Sequence, residues 1–207
     1  MERYKYEEEA YHLGYQCIAG LDEAGRGPLA GPLVVAAVVF KKGFYDERIN
    51  DSKQLSAKKR EFLYDLIIET ALDYKIIVKS VEEVDAENVY QASRLGMIQA
   101  IKELKVNVDC ALTDAINLRT DMYCVPIIKG DSKSISIAAA SILAKVTRDR
   151  MMEAYDAIYP EYGFKKHKGY PTKLHKEALI KYGITPIHRK TFKPVIEILN
   201  QQMQFNF

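Results

Sequence analysis

An α/β fold built on a sheet of mixed strand direction, with helices on its faces, is what this 207-residue sequence predicts. Three observations predict it. Residues 33–40 form an unbroken, valine-rich apolar run, suited to a strand buried on both faces. The first two strands follow one another without a helix between them, whereas later strands alternate with helical segments, which implies mixed strand directions. Acidic residues also collect just past the ends of three strands, and open α/β sheets gather their ligands at the carboxyl ends of strands.

The elements read as follows. Tyr15 to Leu21 is a short strand-like stretch carrying Ile18, Ala19 and Leu21, and it stops at Asp22 and Glu23. The apolar run 33–40 is the second strand, and 51–55 (Asp-Ser-Lys-Gln-Leu) is a polar connection. Ser56 can cap a helix on which Phe62, Leu63, Leu66 and Ile67 recur at helical spacing. Tyr74 to Val81 is a third strand, and Val89 to Leu104 a helix with Leu95, Ile98, Ile101 and Leu104 on one stripe. Val108 to Thr113 is a strand ending at Asp114; Tyr123 to Ile128 is a strand ending at Lys129-Gly130-Asp131. Ile135 to Ile158 is a long helix whose first half is apolar nearly all round, with small residues for close packing on a sheet, and Pro160 marks its stop. Residues 171–207 hold two short helices, Thr172 to Tyr182 and Pro194 to Gln202, separated by Gly183 and Pro186.

Composition narrows the classes. Hydrophobic content of 48% and charged content of 28% are ordinary for a globular protein. No apolar run approaches the roughly 20 residues of a membrane span, and the start has no apolar leader, so a cytoplasmic protein without a membrane partner is expected. Three cysteines without C-x-x-C spacing imply reduced buried thiols, not a zinc site. Monomer is the default expectation. Net charge is only +2, yet residues 163–193 hold nine Lys or Arg against Glu177 alone, which makes that segment +8 and the remainder −6. Tyr170, Tyr182 and Phe192 are interleaved with those charges, and charge with aromatics suits a phosphate-backbone partner.

The pair Asp22-Glu23 carries the chemistry. Adjacent carboxylates usually belong to a solvated loop, and burying either without a partner costs roughly several kcal/mol. A divalent cation offsets that cost, and hard cations such as Mg²⁺ prefer carboxylate oxygens and water. Asp22, Glu23, Asp114 and Asp131 lie at three different strand ends, which makes a carboxylate metal site out of otherwise unremarkable loop acids. Gly25-Arg26-Gly27 is not a dinucleotide loop: Gly31 comes one residue late for G-x-G-x-x-G, and Pro28 and Pro32 lead into a strand, not a helix. Two divalent ions held by such acids can activate a water and stabilise the leaving 3′-oxygen of an in-line displacement. Lys53 could hold a neighbouring phosphate as a point charge, while His167 and Lys168 are expected to contact nucleic-acid backbone or stay solvated.

Residues 22–32 (Asp-Glu-Ala-Gly-Arg-Gly-Pro-Leu-Ala-Gly-Pro), 51–53 (Asp-Ser-Lys), 130–133 (Gly-Asp-Ser-Lys), 139–149 (Ala-Ala-Ser-Ile-Leu-Ala-Lys-Val-Thr-Arg-Asp) and 166–170 (Lys-His-Lys-Gly-Tyr) together resemble bacterial ribonuclease HII. The resemblance spans roughly residues 15–195, in the family's order. It implies a ribonuclease H-like fold over residues 1–160 with a basic loop and small helical C-terminal part over 161–207. It implies hydrolysis, with two Mg²⁺ or Mn²⁺ ions, of the phosphodiester 5′ to ribonucleotides in RNA–DNA hybrids and in duplex DNA with embedded ribonucleotides. It places Asp22, Glu23, Asp114 and Asp131 as the metal-binding acids, Gly25-Arg26-Gly27 as the loop that reads the ribose 2′-hydroxyl, and Tyr170 at the RNA–DNA junction. Ala115 stands where many members have glycine. The sister type with an N-terminal platform domain is not expected, since 14 residues precede the first strand. Two rivals stay open on the residues alone: a non-catalytic nucleic-acid-binding protein, and another carboxylate-dependent enzyme, such as a resolvase or phosphatase, on the same fold.

Overall fold

The computed structural model describes residues 2–204. Its strands are β1 (Ile18–Ala24), β2 (Leu33–Val39), β3 (Asp73–Lys79), β4 (Cys110–Asp114) and β5 (Tyr123–Ile127). They form one five-stranded sheet in the order β3-β2-β1-β4-β5. β1 runs antiparallel to β2, with Asp22 opposite Ala36, and parallel to β4, with Leu21 beside Thr113. β4 and β5 are also parallel, with Asp114 beside Ile127. The mixed sheet read from the sequence is therefore present. Every residue of β2 from Leu33 to Val39 is fully buried, as a strand covered on both faces must be.

The helices are α1 (Lys5–His12), α2 (Ala57–Thr70), α3 (Val81–Glu87), α4 (Val89–Glu103), α5 (Ile135–Ile158), α6 (Phe164–His167), α7 (Lys173–Tyr182) and α8 (Lys193–Gln204). Ser56 caps α2 by accepting from the Lys59 N–H at 3.3 Å, as its position before the apolar spacing indicates. Two expectations need correction. The first strand does not stop before the acids: its ladder with β2 continues to Ala24 opposite Val34, so Asp22 and Glu23 stand inside a paired strand. The third strand ends at Lys79 instead of Val81, because Ser80 and Glu83 form a capping box that starts α3. The Ser80 hydroxyl accepts from the Glu83 N–H at 3.2 Å, and the Glu83 carboxylate from the Ser80 N–H at 2.8 Å.

The chain divides into two compact units. Unit one holds Met1–Ala24, Val34–Val78 and Ser93–Val146; unit two holds Gly25–Leu33, Lys79–Ala92 and Thr147–Phe207. A single cut at residue 160 does not describe this division. Unit two also takes the loop after β1 and the α3 segment, because Leu33, Val84 and Ala92 pack with Val89 and Phe192. Its main core gathers Leu29, Ala30, Met152, Tyr162, Phe164, Leu179 and Val195. Unit one has a core under α1, where Ala10, Ile18, Cys110, Leu112, Ile127 and Ile137 meet. None of the three cysteines is in a disulfide.

Candidate active site

In unit one the sheet brings three carboxylates together. Asp22 lies in the central strand, and the parallel register sets Asp114, the last residue of β4, beside it. Asp131 follows β5 on a 3₁₀ turn, Gly130–Ser132. That turn is tied to β4 by the Gly130 N–H, which donates to Asp114 Oδ1 at 2.8 Å. One carboxylate oxygen from each of Asp22, Asp114 and Asp131 lies within 4.8 Å of the others. Asp22 and Asp131 are both 4% exposed. Burial, reinforced by Glu23, Asp114 and Asp131, pushes the Asp22 carboxyl well above the usual carboxylate range, although the Glu23 N–H donates to its Oδ1 at 2.7 Å. Lys53 Nζ reaches Asp131 Oδ2 at 3.1 Å from an otherwise exposed side chain. A group of oxygen donors without His or Cys, with two members buried and Asp114 half-buried, fits a hard divalent cation.

In unit two, two buried arginines shape the loop that follows β1. Arg148 donates from Nε to the Pro32 carbonyl at 2.9 Å, from Nη1 to that of Lys168 at 3.0 Å, and from Nη2 to that of Ala30 at 3.1 Å. Arg189 donates from Nε and Nη2 to the Gly31 carbonyl, at 3.1 and 2.9 Å, and from Nη1 to that of Arg26 at 3.3 Å. Desolvation lowers both guanidinium pKa values, to about 10 for Arg148 and about 9 for Arg189, so both remain protonated at neutral pH. Gly25 has φ +108°, and a Cβ there would lie 2.4 Å from Arg148 Nε. Arg26 and Gly27 are exposed, and a Cβ on Gly27 would touch the Tyr170 ring at 3.5 Å.

The Tyr170 backbone is held by histidines. Its N–H donates to the His167 carbonyl at 2.9 Å, and its own carbonyl accepts from His175 Nδ1 at 3.0 Å. The tautomers follow from one backbone donor: the Thr185 N–H donates to His188 Nδ1 at 2.9 Å, so His188 carries its proton on Nε2. That proton is donated to His175 Nε2 at 3.0 Å, which leaves His175 Nδ1–H for the Tyr170 carbonyl. Burial lowers the His175 pKa to about 4 and that of His188 to about 3, so the relay is neutral at pH 7.

The family model described as Ribonuclease HII matches residues 19–195. The chain belongs to the ribonuclease HII family. It is 58% identical over 188 residues to the ribonuclease HII of Clostridioides difficile, covering 90% of this chain and 74% of that protein. With the ribonuclease HII of Acholeplasma laidlawii it shares 56% over 196 residues, covering 95% and 96%. The crystal structure of ribonuclease H2 from Pyrococcus horikoshii, 28% identical, matches with a TM-score of 0.79 over 91% of this chain and 99% of that one. Membership makes the protein a metal-dependent endonuclease that hydrolyses RNA in RNA–DNA hybrids. Among the described residues no helix is long and apolar enough to cross a membrane.

Against the residues expected for a ribonuclease HII site, the structure makes distinctions. Asp22, Asp114 and Asp131 converge; Glu23 bears on Asp22 electrostatically but is outside the group of three. Lys53 meets that group through Asp131. His167 is no surface phosphate ligand: it is buried, its Nε2 faces the Tyr162 carbonyl at 2.7 Å, and its Nδ1 accepts from the Gly169 N–H at 3.2 Å. Lys168 is largely covered and paired with Glu153 at 2.7 Å. Gly25 lacks a side chain to make room for Arg148, a reason found inside the protein. Sequence reasoning missed the roles of Arg148 and His175, and only their position inside basic or apolar stretches was visible. Ala115 adopts φ +58°, the left-handed region, which is why glycine suits that position.

Proposed function

We propose that this ribonuclease HII cuts the phosphodiester 5′ to a ribonucleotide, including a single one embedded in duplex DNA, leaving a 3′-hydroxyl and a 5′-phosphate. The observation that carries the reading is the cluster of buried Asp22 and Asp131 with half-buried Asp114, whose repulsion at Asp22 calls for cations. With Glu23 they would hold two divalent ions, Mg²⁺ or Mn²⁺. When bound, such a pair supplies the charge stabilisation that phosphodiester hydrolysis requires at the attacking and leaving oxygens. Lys53, already at Asp131, adds a positive charge for a neighbouring phosphate.

Sugar reading belongs to unit two. Arg26 and Gly27 are exposed residues whose peptide groups can meet a 2′-hydroxyl, and the Tyr170 ring beside Gly27 can press on the adjoining sugar. Polar groups that need a substrate hydroxyl as partner can reject the analogue lacking it by about 10⁴-fold. Exposed Lys165, Lys166, Lys173 and Lys176 would follow the phosphate backbone. The test is denaturing-gel cleavage of duplexes carrying one ribonucleotide, four in a row, or none. Cleavage confined to the 5′ side of ribonucleotides is expected, with Tyr170→Ala losing most activity on the single-ribonucleotide duplex. Equal cleavage of all-DNA duplex, or no effect of Tyr170→Ala on any substrate, would overturn the reading.

A further inference from the structure

Glu7 is a buried carboxylate outside the group of acids already described. It lies on α1, 2% exposed, in a run of glutamates that would ordinarily face solvent. Its Oε1 accepts from the Ser134 hydroxyl at 2.6 Å and from the Ser136 N–H at 3.0 Å. Its Oε2 is buried with no hydrogen-bond partner. Burial raises the Glu7 pKa against these donors, so the position is an unfavourable one for an ionised carboxylate. A glutamate that served only to anchor α1 could be replaced by an apolar residue packing with Ala10, Ile18 and Ile137.

What Glu7 holds is the far end of the turn that presents Asp131. At its near end, the Gly130 N–H is bound to Asp114 Oδ1 at 2.8 Å. The Lys133 and Ser134 N–H groups both return to the Gly130 carbonyl at 2.9 Å, closing the turn. The Ser134 hydroxyl, besides donating to Glu7, accepts from the Ile137 N–H at 3.2 Å and so caps the first turn of α5. That first turn sits directly on β1: a Cβ on Gly20 would lie 2.1 Å from the Ser136 carbonyl carbon. Gly20 is two residues before Asp22.

We propose that Glu7 is a positioning residue for the metal centre: by clamping Ser134 and Ser136 it fixes the Gly130–Ser136 turn against β1 and thereby the spacing of Asp131 from Asp22. This rests on the metal-site reading above. Mg²⁺ demands near-ideal octahedral geometry, so a small relaxation of the turn weakens its binding more than that of a larger, more tolerant cation. Outer groups that orient a metal ligand typically contribute about 10- to 100-fold in metal affinity or activity.

The experiment titrates Mn²⁺ into wild type, Glu7→Ala, Glu7→Gln, Ser134→Ala and Asp131→Asn, reading bound ion by electron paramagnetic resonance, beside Mg²⁺-activation curves. Glu7→Ala is expected to lose about 10-fold in Mn²⁺ affinity and more in its Mg²⁺ midpoint, while duplex binding is retained. Glu7→Gln keeps an acceptor oxygen for both donors and is expected to stay within about threefold of wild type. Ser134→Ala, which removes the bond to Glu7 together with the cap on the Ile137 N–H and leaves the residues of α1 unchanged, should shift the midpoint in the same direction, and it decides the matter should Glu7→Ala not fold. Unchanged metal affinity in Glu7→Ala or Ser134→Ala, or an equal loss in Glu7→Gln and Glu7→Ala, would overturn the clamp. If Asp131→Asn also binds metal normally, the metal-site reading itself fails; if only Asp131→Asn is impaired, the role given to Glu7 fails alone.

Discussion

Replacing Asp22 by Asn should abolish cleavage and, in the absence of metal, make the protein more stable. The two effects have one cause. Asp22 is 4% exposed and shares a 4.8 Å cluster with Asp114 and Asp131. Two unit charges at that spacing repel by about 3.5 kcal/mol at an effective dielectric of about 20. Lys53 at 3.1 Å from Asp131 offsets part of this, and the raised pKa of Asp22 lets a proton relieve more. A net gain of roughly 2 kcal/mol remains for the neutral amide, whose oxygen can still accept from the Glu23 N–H, and this corresponds to about 4–8 °C in melting temperature. The sign with pH is also determined. Because the folded pKa is raised, the folded protein holds a proton that the unfolded chain releases above about 3.8. The metal-free wild type therefore loses stability as pH rises from about 3.8 through the raised folded pKa, so the advantage of Asn should grow as pH rises. Differential scanning fluorimetry of both proteins in EDTA and in Mg²⁺ is the assay, with Mg²⁺ expected to raise the wild type and leave Asp22→Asn nearly unmoved. A lower melting temperature for Asp22→Asn in EDTA, or equal stabilisation of both by Mg²⁺, would refute the argument.

Arg148→Met should leave the carbonyls of Ala30, Pro32 and Lys168 without a donor, costing about 3 kcal/mol or more and about 6–12 °C by thermal melting; a shift under 2 °C would mean that water replaces the guanidinium. The histidine relay predicts acid sensitivity: below pH 6.5 the unfolded chain binds protons that buried His175 and His188 refuse, so stability falls toward pH 4 by up to about 1.4 kcal/mol per pH unit for each. Urea midpoints at pH 6.5 and 5 should converge in His175→Phe/His188→Phe, and an unchanged pH slope would count against the relay. Ala115→Gly relieves a left-handed alanine and should gain about 0.5–1 kcal/mol in urea unfolding; a loss would show that the unfolded-state freedom of glycine outweighs the strain.

The sheet was legible in the sequence because its signals are local. A strand covered on both faces needs an unbroken apolar run, and residues 33–40 supply one; a helix needs a cap and a periodic stripe, and Ser56 with Leu63 and Ile67 supplies both. Local signals misplace ends, as at Asp22, where charge suggested a strand terminus and pairing with β2 overrode it. The Ser80-x-x-Glu83 capping box was present in the sequence and marks α3, but the apolar residues before it read as continuous strand. The acids themselves stood out by type, and the parallel register of β1 with β4 turned that composition into a cluster.

What supports those residues was decided only by the tertiary structure. His167 and Arg189 belong by composition to a basic, solvated stretch and Arg148 to the charged second half of α5, yet each is buried and faces backbone carbonyls of unit two. Glu7 looks like one more surface glutamate until Ser134, 127 residues away, donates to it. The physical reason is common to all four. Side-chain type and spacing report the chain's local preferences, whereas burial of a polar group depends on whether a distant backbone supplies its partner, and that is known only once the chain has closed on itself.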